Sequence, residues 1–195
     1  MRVTNVQIFD QQIRSFVQAE MLEDPGDDYV ETVDALWSVY KRRILRERRA
    51  AGKPVPEHNH WNWKLKLEQE RLENSFYKCF AIVRDEPQGL MMLKYGREFV
   101  CRYDKQQGKP LVYLAYIESA PWNVKEYGDS ICYSGIGTEF YKTAICFSRQ
   151  LGFAGRIGLH SLPGAETFYA NTCHMVSLGS DPKYDNLTYF ESVEQ

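Results

Sequence analysis

Two glycines separated by one residue, Gly135 and Gly137, are the feature of this sequence that points most directly to chemistry. They follow the strand-like run 111–119 and open a segment with helical spacing. Backbone N–H groups at a helix N-terminus point in one direction, the helix dipole favours negative charge there, and glycine lets an anion approach without a Cβ clash. The pattern therefore predicts a phosphate-binding turn.

Two other phosphate-binding motifs also place glycine between a strand and a helix. A Rossmann dinucleotide turn needs a third glycine at the position occupied by Phe140, and the preceding segments have the pattern of antiparallel strands rather than βαβ units. A Walker loop needs Gly-Lys followed by Ser or Thr, which occurs nowhere in the chain. The sequence argues against both motifs.

A second group of chemically capable side chains comprises two histidines, His58 and His60, followed by two tryptophans, Trp61 and Trp63. Three interpretations stay open: the tryptophans anchor a core, the group lines a substrate pocket, or the histidines contribute to a metal site. A metal needs at least one more ligand, and no carboxylate or cysteine is placed to supply it. We therefore predict no metal cofactor.

The elements that must position these residues follow from hydrophobic spacing and turn residues. In the first half, Asp27 or Asp28 is expected to cap a helix. The elements expected there are a strand at 3–9, a helix at 11–22, a helix from the turn 23–28 to about residue 50, a helical stretch to about Asn74, and strands at 76–83, 89–95, 98–103 and 111–119, with a turn at 85–88.

The second half begins with the helix that the glycine turn opens, which ends at Leu151-Gly152. The elements expected after it are a short buried strand at 156–160, a helix that begins at Ala165, and strands at 175–178 and 187–191. This arrangement indicates one α/β domain over residues 1–195, because no linker or repeat divides the chain.

The order of these elements over roughly 90–191 resembles the GNAT superfamily of acyl-CoA-dependent N-acyltransferases. The resemblance rests on the strand end Ile117-Glu118-Ser119-Ala120-Pro121, the Gly-x-Gly turn, and a short strand followed by Ala-x-x-Phe-Tyr at 165–169. It implies a mixed α+β fold with a central, mostly antiparallel sheet flanked by helices. It also implies direct transfer of an acetyl group from acetyl-CoA to a primary amine.

The resemblance assigns the parts of acetyl-CoA to particular residues. The backbone groups of Ile117 and Ser119 are expected to bond the pantetheine arm and the thioester carbonyl, where the strand separates from its neighbour. Tyr169 is expected to protonate the departing thiolate. The diphosphate is expected on the backbone N–H groups of six consecutive residues: Tyr133, Ser134, Gly135, Ile136, Gly137 and Thr138.

Two residues are candidates for the general base that removes a proton from the amine. Glu118 lies on the relevant strand, and alternation directs its side chain away from those of Ile117 and Ser119. His160 ends the predicted strand 156–160 and titrates near neutral pH without special tuning, whereas a carboxylate needs a raised pKa. A water chain, with no dedicated base, is the third alternative.

The sequence departs from the family pattern at three positions. Cys132 stands where Gln or Arg is usual before the first glycine, Leu162 stands where Asn is usual, and His174 replaces a glycine after the tyrosine. We expect weakened or rearranged binding of the diphosphate, since backbone donors carry much of it. His174 is expected to disturb a helix C-cap, because a left-handed conformation is harder with a Cβ atom.

Composition limits the possible partners. The net charge of −2 and pI near 6.1 argue against a general nucleic-acid-binding surface. One helix nevertheless carries a basic run, which is either a solvated helix end or a surface for an anionic partner. Its members are Lys41, Arg42, Arg43, Arg46, Arg48 and Arg49.

The five cysteines show no Cys-x-x-Cys spacing, and no apolar leader begins the chain, which indicates reduced thiols and a cytoplasmic protein. No apolar run reaches the roughly 20 residues of a membrane-spanning helix. The expected acceptor is a small-molecule or peptide amine, and the last strands could carry a homodimer contact. Two alternatives remain: a non-catalytic acyl-CoA-binding module, and a toxin-type acetyltransferase acting on a macromolecule such as aminoacyl-tRNA.

Overall fold

Nine strands form a mixed, mostly antiparallel sheet flanked by helices, in a computed structural model that describes residues 1–128 and 130–193. This architecture confirms the predicted fold class. The strands are β1 Arg2–Asp10, β2 Ser15–Glu23, β3 Tyr77–Arg84, β4 Glu86–Lys94, β5 Val112–Ser119, β6 Tyr133–Ser134, β7 Ile157–Ser161, β8 Val176–Asp181 and β9 Leu187–Glu191, and the longer helices are α1 Asp27–Ala50, α2 Trp63–Leu72 and α3 Ile136–Gln150.

The chain divides into two compact units, which are described separately. The first comprises Met1–Met91 and Ile117–Glu139, and the second comprises Met92–Tyr116 and Phe140–Gln195. The expectation of a single domain over 1–195 stays a prediction. None of the helices in the described part of the chain is long and apolar enough to cross a membrane.

The first unit starts with a hairpin of β1 and β2, whose register runs from Arg2 opposite Glu23 to Asp10 opposite Ser15. Our prediction of a helix at 11–22 is therefore wrong. Helix-forming residues suggested that helix, but apolar residues at 17, 19 and 21 alternate with polar ones at 18 and 20, as a strand with one buried face requires. The Asp10 carboxylate accepts hydrogen bonds from the N–H groups of Gln12 and Ile13 and so fixes the turn.

Helix α1 begins at Asp27 after Gly26, without a side-chain cap. The predicted capping role of Asp27 or Asp28 is wrong, since both lie in the first turn. The Asp27 carboxylate instead accepts hydrogen bonds from Arg71 Nε at 2.8 Å and Tyr77 Oη at 2.9 Å. Further along, the buried stripe of α1 continues through Trp37 to Lys41, which is 4% exposed. The expectation of a solvated basic helix end thus fails for Lys41.

Helix α2 confirms the predicted helical stretch before Asn74. The side chain of Asn62 caps it by accepting a hydrogen bond from the N–H of Leu65 at 2.8 Å, which satisfies one of the free donors of the first turn. Trp63 and Leu67, one turn apart, are fully buried. The cap and this apolar pair fix which face of α2 turns inward.

Strands β3 and β4 confirm two of the strands expected in the middle of the chain. The turn predicted at 85–88 is shorter in the structure, because Asp85 adopts a left-handed conformation (φ 59°) and β4 begins at Glu86. The strand predicted at 98–103 is wrong, since this segment forms only an isolated bridge between Val100 and Pro110. The N–H groups of Arg102 and Tyr103 donate instead to the carboxylate of Glu191, which removes them from any ladder.

The second unit is built around β7, which confirms the buried strand predicted at 156–160. Its parallel ladder with β5 has two residue pairs, Val112 with Ile157 and Tyr113 with Gly158. On its other side β7 pairs antiparallel with β9, and β9 pairs with β8. Both final strands were predicted, although β8 extends beyond the expected end at 178.

The helix predicted to begin at Ala165 is short and irregular. A 3₁₀ turn over Pro163–Ala165 leads into a π-helical turn over Phe168–Thr172. His174 follows in a left-handed conformation (φ 52°), which is the conformation that its replacement of glycine was expected to strain. The segment nevertheless buries Tyr169.

Candidate functional site

Glu118 lies near the end of β5, in the first unit, and its side chain is fully buried. Alternation along β5 sets this orientation, because the buried positions fall at 112, 114 and 118. Lys41 Nζ donates a hydrogen bond to Glu118 Oε1, and Trp63 Nε1 donates one to Oε2 at 2.7 Å. The sequence candidate for the general base is thus held by one residue from α1 and one from α2.

Asp34, also on α1 and 5% exposed, supports this arrangement from behind. Its carboxylate accepts a hydrogen bond from the backbone N–H of Trp63 at 3.0 Å, which ties the start of α2 to α1. Burial raises the pKa of Glu118, and the negative charge of Asp34 adds to this, whereas Lys41 and Trp63 oppose it. A carboxylate in this setting binds a proton more readily than one in water.

His58 and Tyr127 lie beside this carboxylate. His58 Nε2 is 3.9 Å from Glu118 Oε1, which is too long for a hydrogen bond, and the His58 ring meets the Tyr127 ring edge to face with centroids 6.1 Å apart. Burial, with Lys41 and His60 adding to it, lowers the pKa of His58 to about 4, so the ring is neutral at pH 7. Burial, and then the charge of Glu118, raises the pKa of Tyr127 well above its usual range.

The glycine turn forms the second part of the first unit's candidate site. Gly135 has φ +85°, and a Cβ atom built on it would meet nothing within 4 Å, so the turn is open on that side. Helix α3 starts at the next residue, and its first intrahelical donor is the N–H of Glu139, which bonds to the carbonyl of Gly135 at 3.0 Å. The N–H groups of Ile136, Gly137 and Thr138 precede that bond and are the open donors of a helix start.

The residues just before the turn are tied down within the first unit. The N–H of Tyr133 donates to Asn123 Oδ1 at 2.8 Å, and β6 pairs with Phe9 and Asp10 of β1. The N–H of Tyr133 already has a partner and is therefore not an open donor for the diphosphate that was expected there. Cys132, where the family has Gln or Arg, is exposed.

A groove of about 870 Å³ lies in front of this segment. Gln88 organises its wall, since its Oε1 accepts hydrogen bonds from Trp122 Nε1 and Asn123 Nδ2, both at 2.9 Å. The groove is lined by Asp10, Gln11, Gln12, Arg84, Asp85, Glu86, Gln88, Trp122, Lys125, Ser130, Ile131, Cys132 and Tyr133.

In the second unit, His160 has both ring nitrogens occupied. Nδ1 is 2.8 Å from the hydroxyl of Tyr113, and Nε2 is 3.1 Å from Asp181 Oδ2. The ring stacks on Tyr184 with centroids 3.8 Å apart, and Arg102 bonds the same Asp181 oxygen. Burial lowers the pKa of His160, against the opposing effect of Asp181. Neither nitrogen can take a substrate proton without losing an existing bond.

Tyr169, the candidate acid, also belongs to the second unit. It is 8% exposed, and its ring lies near those of Phe168 and Phe190. Burial raises the pKa of Tyr169 well above its usual range, with a smaller contribution from Cys173. The phenol therefore remains protonated at neutral pH, which is the form that an acid needs.

No protein-family model matches the sequence, and no curated protein does. Three solved structures nevertheless match nearly its whole length. A histone acetyltransferase HPA2 and related acetyltransferase from Corynebacterium glutamicum gives a TM-score of 0.54 at 14% identity, covering 97% of this chain and 98% of that chain. A GNAT family acetyltransferase from Listeria monocytogenes gives 0.51 at 12%, covering 96% and 99%. The chain adopts a GNAT-type fold.

The third structure is an acetyl transferase from Salmonella typhimurium that modifies the N-terminal serine of ribosomal protein L7/L12. It gives a TM-score of 0.52 at 11% identity and covers 91% of this chain and 95% of that chain. At these identities the likeness concerns the GNAT-type fold itself.

The ladder between β5 and β7 is short, since its pairs end at Tyr113 and Gly158. The rest of β5 is not paired with β7, as was expected of the strand that ends at Ser119.

Sequence reasoning missed several residues of the Glu118 cluster within this GNAT-type fold. Lys41 was read as part of a basic surface, although its place four residues after Trp37 on the apolar stripe signals burial. Asp34 and Tyr127 carried no motif and become visible only when α1 and the 124–127 turn are placed beside β5. His58 and Trp63 were singled out, but their contact with Glu118 was not foreseen. No described group of three His, Cys, Asp or Glu side chains is placed to hold a metal.

Proposed function

We propose that this protein transfers an acetyl group from acetyl-CoA directly to a primary amine. The observation that carries the proposal is the open, left-handed turn at Gly135 in front of the fifteen-residue helix α3, in a chain with a GNAT-type fold. The N–H groups of Ile136, Gly137 and Thr138 would hold the diphosphate. The backbone groups of Ile117 and Ser119, on either side of Glu118, would bond the pantetheine arm and the thioester carbonyl.

Glu118 is the better candidate for the general base. A carboxylate offers about four lone-pair positions, so both oxygens can keep their bonds to Lys41 and Trp63 and still accept one from an ammonium group. The pKa of Glu118 is raised by burial, which brings it closer to that of an amine. His160 lacks an unoccupied nitrogen, and we assign it a structural role.

The reaction balances as follows. The acceptor ammonium gives one proton to Glu118, its nitrogen attacks the thioester carbonyl, a C–N bond forms, and the C–S bond breaks. The departing thiolate takes a proton from Tyr169, which regains it from the nitrogen that loses its second proton as the amide forms. The net products are the acetylated amine, CoA and one proton released from Glu118 to solvent. The Salmonella neighbour, which modifies an N-terminal serine, supports an amine as the acceptor.

Calorimetric titration with acetyl-CoA, with CoA and NADH as controls, tests the first half of the proposal. We expect micromolar binding of acetyl-CoA and none of NADH, and the absence of acetyl-CoA binding would refute the proposal. The second half is tested with Tyr169→Phe, which should keep acetyl-CoA affinity and lose about 100-fold in kcat. Tyr141→Phe is the matched control, because Tyr141 is also buried but bonds the carbonyl of Cys173. Equal rates in both variants would remove the acid role from Tyr169, whereas acetyl-CoA binding without acetylation of any amine would favour a non-catalytic acyl-CoA-binding module.

A further inference from the structure

Two buried polar atoms beside Glu118 have no hydrogen-bond partner among the described residues: His58 Nε2 and Tyr127 Oη. Tyr127 is 1% exposed, and its ring and that of His58 meet edge to face. Buried polar groups in folded proteins nearly always have a partner, so two such atoms on neighbouring rings indicate a group that the chain itself does not supply. That group must be small and must donate hydrogen bonds if both atoms are to act as acceptors.

The charges around these two atoms favour a cation. Three carboxylates are buried here, those of Asp34, Glu70 and Glu118, each at most 5% exposed. The matching cations are Lys41, which is buried on Glu118, and Lys66, whose ammonium lies 4.4 Å from the Trp61 ring centroid. Lys66 interacts electrostatically with the other four side chains, so the five form one cluster. Its three carboxylates and two ammonium groups leave an excess of one negative charge.

We propose that this cluster, His58, Tyr127 and Glu118, binds the ammonium group of the acceptor and selects amines with no carboxylate next to the amino group. The inference rests on the proposed function and names the substrate class for that site. His58 Nε2, with the ring proton on Nδ1, and Tyr127 Oη each accept one hydrogen of the ammonium. Glu118 supplies the negative charge that attracts the ammonium group, and it is the base that takes a proton from that group.

Discrimination against an α-carboxylate follows from the same geometry. A carboxylate attached next to the amino group would be held near the negative charge of Glu118, which the ammonium itself contacts in this proposal. The cation beside Glu118, Lys41, is already bonded to it. The other cation of the cluster, Lys66, lies over the Trp61 ring. An amino acid would therefore bind with its carboxylate facing the like charge of Glu118.

The test uses a matched pair of probes, phenethylamine and phenylalanine, which differ only in the carboxylate. We expect phenethylamine to raise the melting temperature and to be acetylated with a kcat/KM at least 100-fold above that of phenylalanine. Equal values, a preference for phenylalanine, or binding of neither probe would overturn the inference. The comparison is repeated with isoamylamine and leucine, which have one amino group each and differ only in the carboxylate, so that a poor fit of the phenyl ring does not decide the outcome.

A single-atom change tests the contact itself. Tyr127→Phe removes the unpartnered hydroxyl, and we expect the KM for the better amine to rise about tenfold, as loss of one hydrogen bond to a charged group predicts. The melting temperature of the free protein should stay the same or rise, because an unpaired buried group is removed. Tyr77→Phe is the control, since that hydroxyl has a partner in Asp27, and its KM should match the wild type. A lowered melting temperature with unchanged KM would show that a structural water alone occupies the position.

The two proposals fail in different ways. If acetyl-CoA does not bind in calorimetry, the acetyl transfer is refuted, yet the amine contact can still be examined by the melting temperature with phenethylamine alone. If acetyl-CoA binds and is turned over while the matched amines are used equally well, only the selectivity inference is overturned.

Discussion

Two polar clusters of this molecule, one around Glu118 and one around His160, differ in how completely their atoms are paired. Around His160, in the second unit, both ring nitrogens have partners, the ring stacks on Tyr184, and Asp181 is bonded by Arg102 as well. The bonds are distributed so that every ring nitrogen is used. The His160 ring therefore has no free nitrogen to offer a ligand.

Around Glu118, in the first unit, each carboxylate oxygen has one donor, whereas two neighbouring side chains have unpaired atoms. Lys41 and Trp63 donate to its two oxygens, whereas His58 Nε2 and Tyr127 Oη lack partners in the described structure. A complete buried network makes a fold rigid, whereas an unpaired buried polar atom calls for a partner from outside the chain, such as a water or a ligand. This difference supports the proposed amine contact at the Glu118 cluster and a structural role for the His160 cluster, although both contain a histidine whose pKa burial lowers.

The largest effect is expected when Lys41, the cation bonded to Glu118, is removed. Lys41→Met leaves the Glu118 carboxylate buried without its charge partner, and we expect the free energy of unfolding to fall by about 3–5 kcal/mol. Urea denaturation measures it. Arg42→Met, an exposed neighbour on α1, should change stability little, and adding Glu118→Gln to Lys41→Met should restore most of the loss. A loss below about 1 kcal/mol for Lys41→Met would mean that the ion pair is not what holds Glu118.

A second prediction concerns the neutral histidine of the same cluster. The pKa of His58 is lowered to about 4. Between pH 6.5 and 4 its ring is therefore protonated in the unfolded chain and neutral in the folded one. Stability must therefore fall as the pH drops through that window, by up to about 3 kcal/mol at pH 4. In His58→Gln this part of the pH dependence should disappear in unfolding measurements from pH 7 to pH 4.

His60→Gln, which removes an exposed histidine from the same turn, is the control for that measurement. Its stability should keep most of the wild-type pH dependence, because burial is the main cause that lowers the pKa of His58 and His60 is the smallest one. Identical pH dependence in His58→Gln and His60→Gln would show that His58 is not buried as a neutral ring.

The smallest of the three effects is expected around His160, whose ring nitrogens both have partners. It concerns the stability of the fold and not the rate of acetyl transfer. His160→Ala removes the bonds to Tyr113 and Asp181 together with the stack on Tyr184, and we expect a loss of about 2 kcal/mol in the free energy of unfolding. Acetyl transfer by the folded protein should keep its KM for amine and its kcat within about threefold. A 100-fold loss of kcat at unchanged stability would make His160 the general base and reverse the comparison.

Much of the fold was accessible from the sequence because its signals are local. The apolar stripe of α1, the Asn62 cap of α2 and the glycine turn before α3 are each determined by residues within one or two turns. The strand β2 was mistaken for a helix because its residues have high helix propensity, and its alternation is imposed by pairing with β1. The missing strand at 98–103 depends on Glu191, about ninety residues away.

The candidate site was less accessible, because its contacts join distant parts of the chain. The glycine turn was found from its own spacing and Glu118 by resemblance, whereas the pairing of Glu118 with Lys41 spans 77 residues and leaves no trace in local spacing. The unpaired atoms of His58 and Tyr127 are properties of packing and cannot be read from residue order. The predicted homodimer and cytoplasmic location stay predictions.

The distribution of the five free thiols provides the chain with a natural chemical reporter. Burial raises the pKa of Cys79, Cys101 and Cys173 and so keeps them unreactive, whereas Cys132 and Cys146 are exposed. Cys132 lies three residues before Gly135, within the lining of the groove. With Cys146 changed to serine, a thiol-directed dye would attach at one position beside the proposed diphosphate turn, so the rate of labelling becomes a direct optical measure of how often that turn is covered.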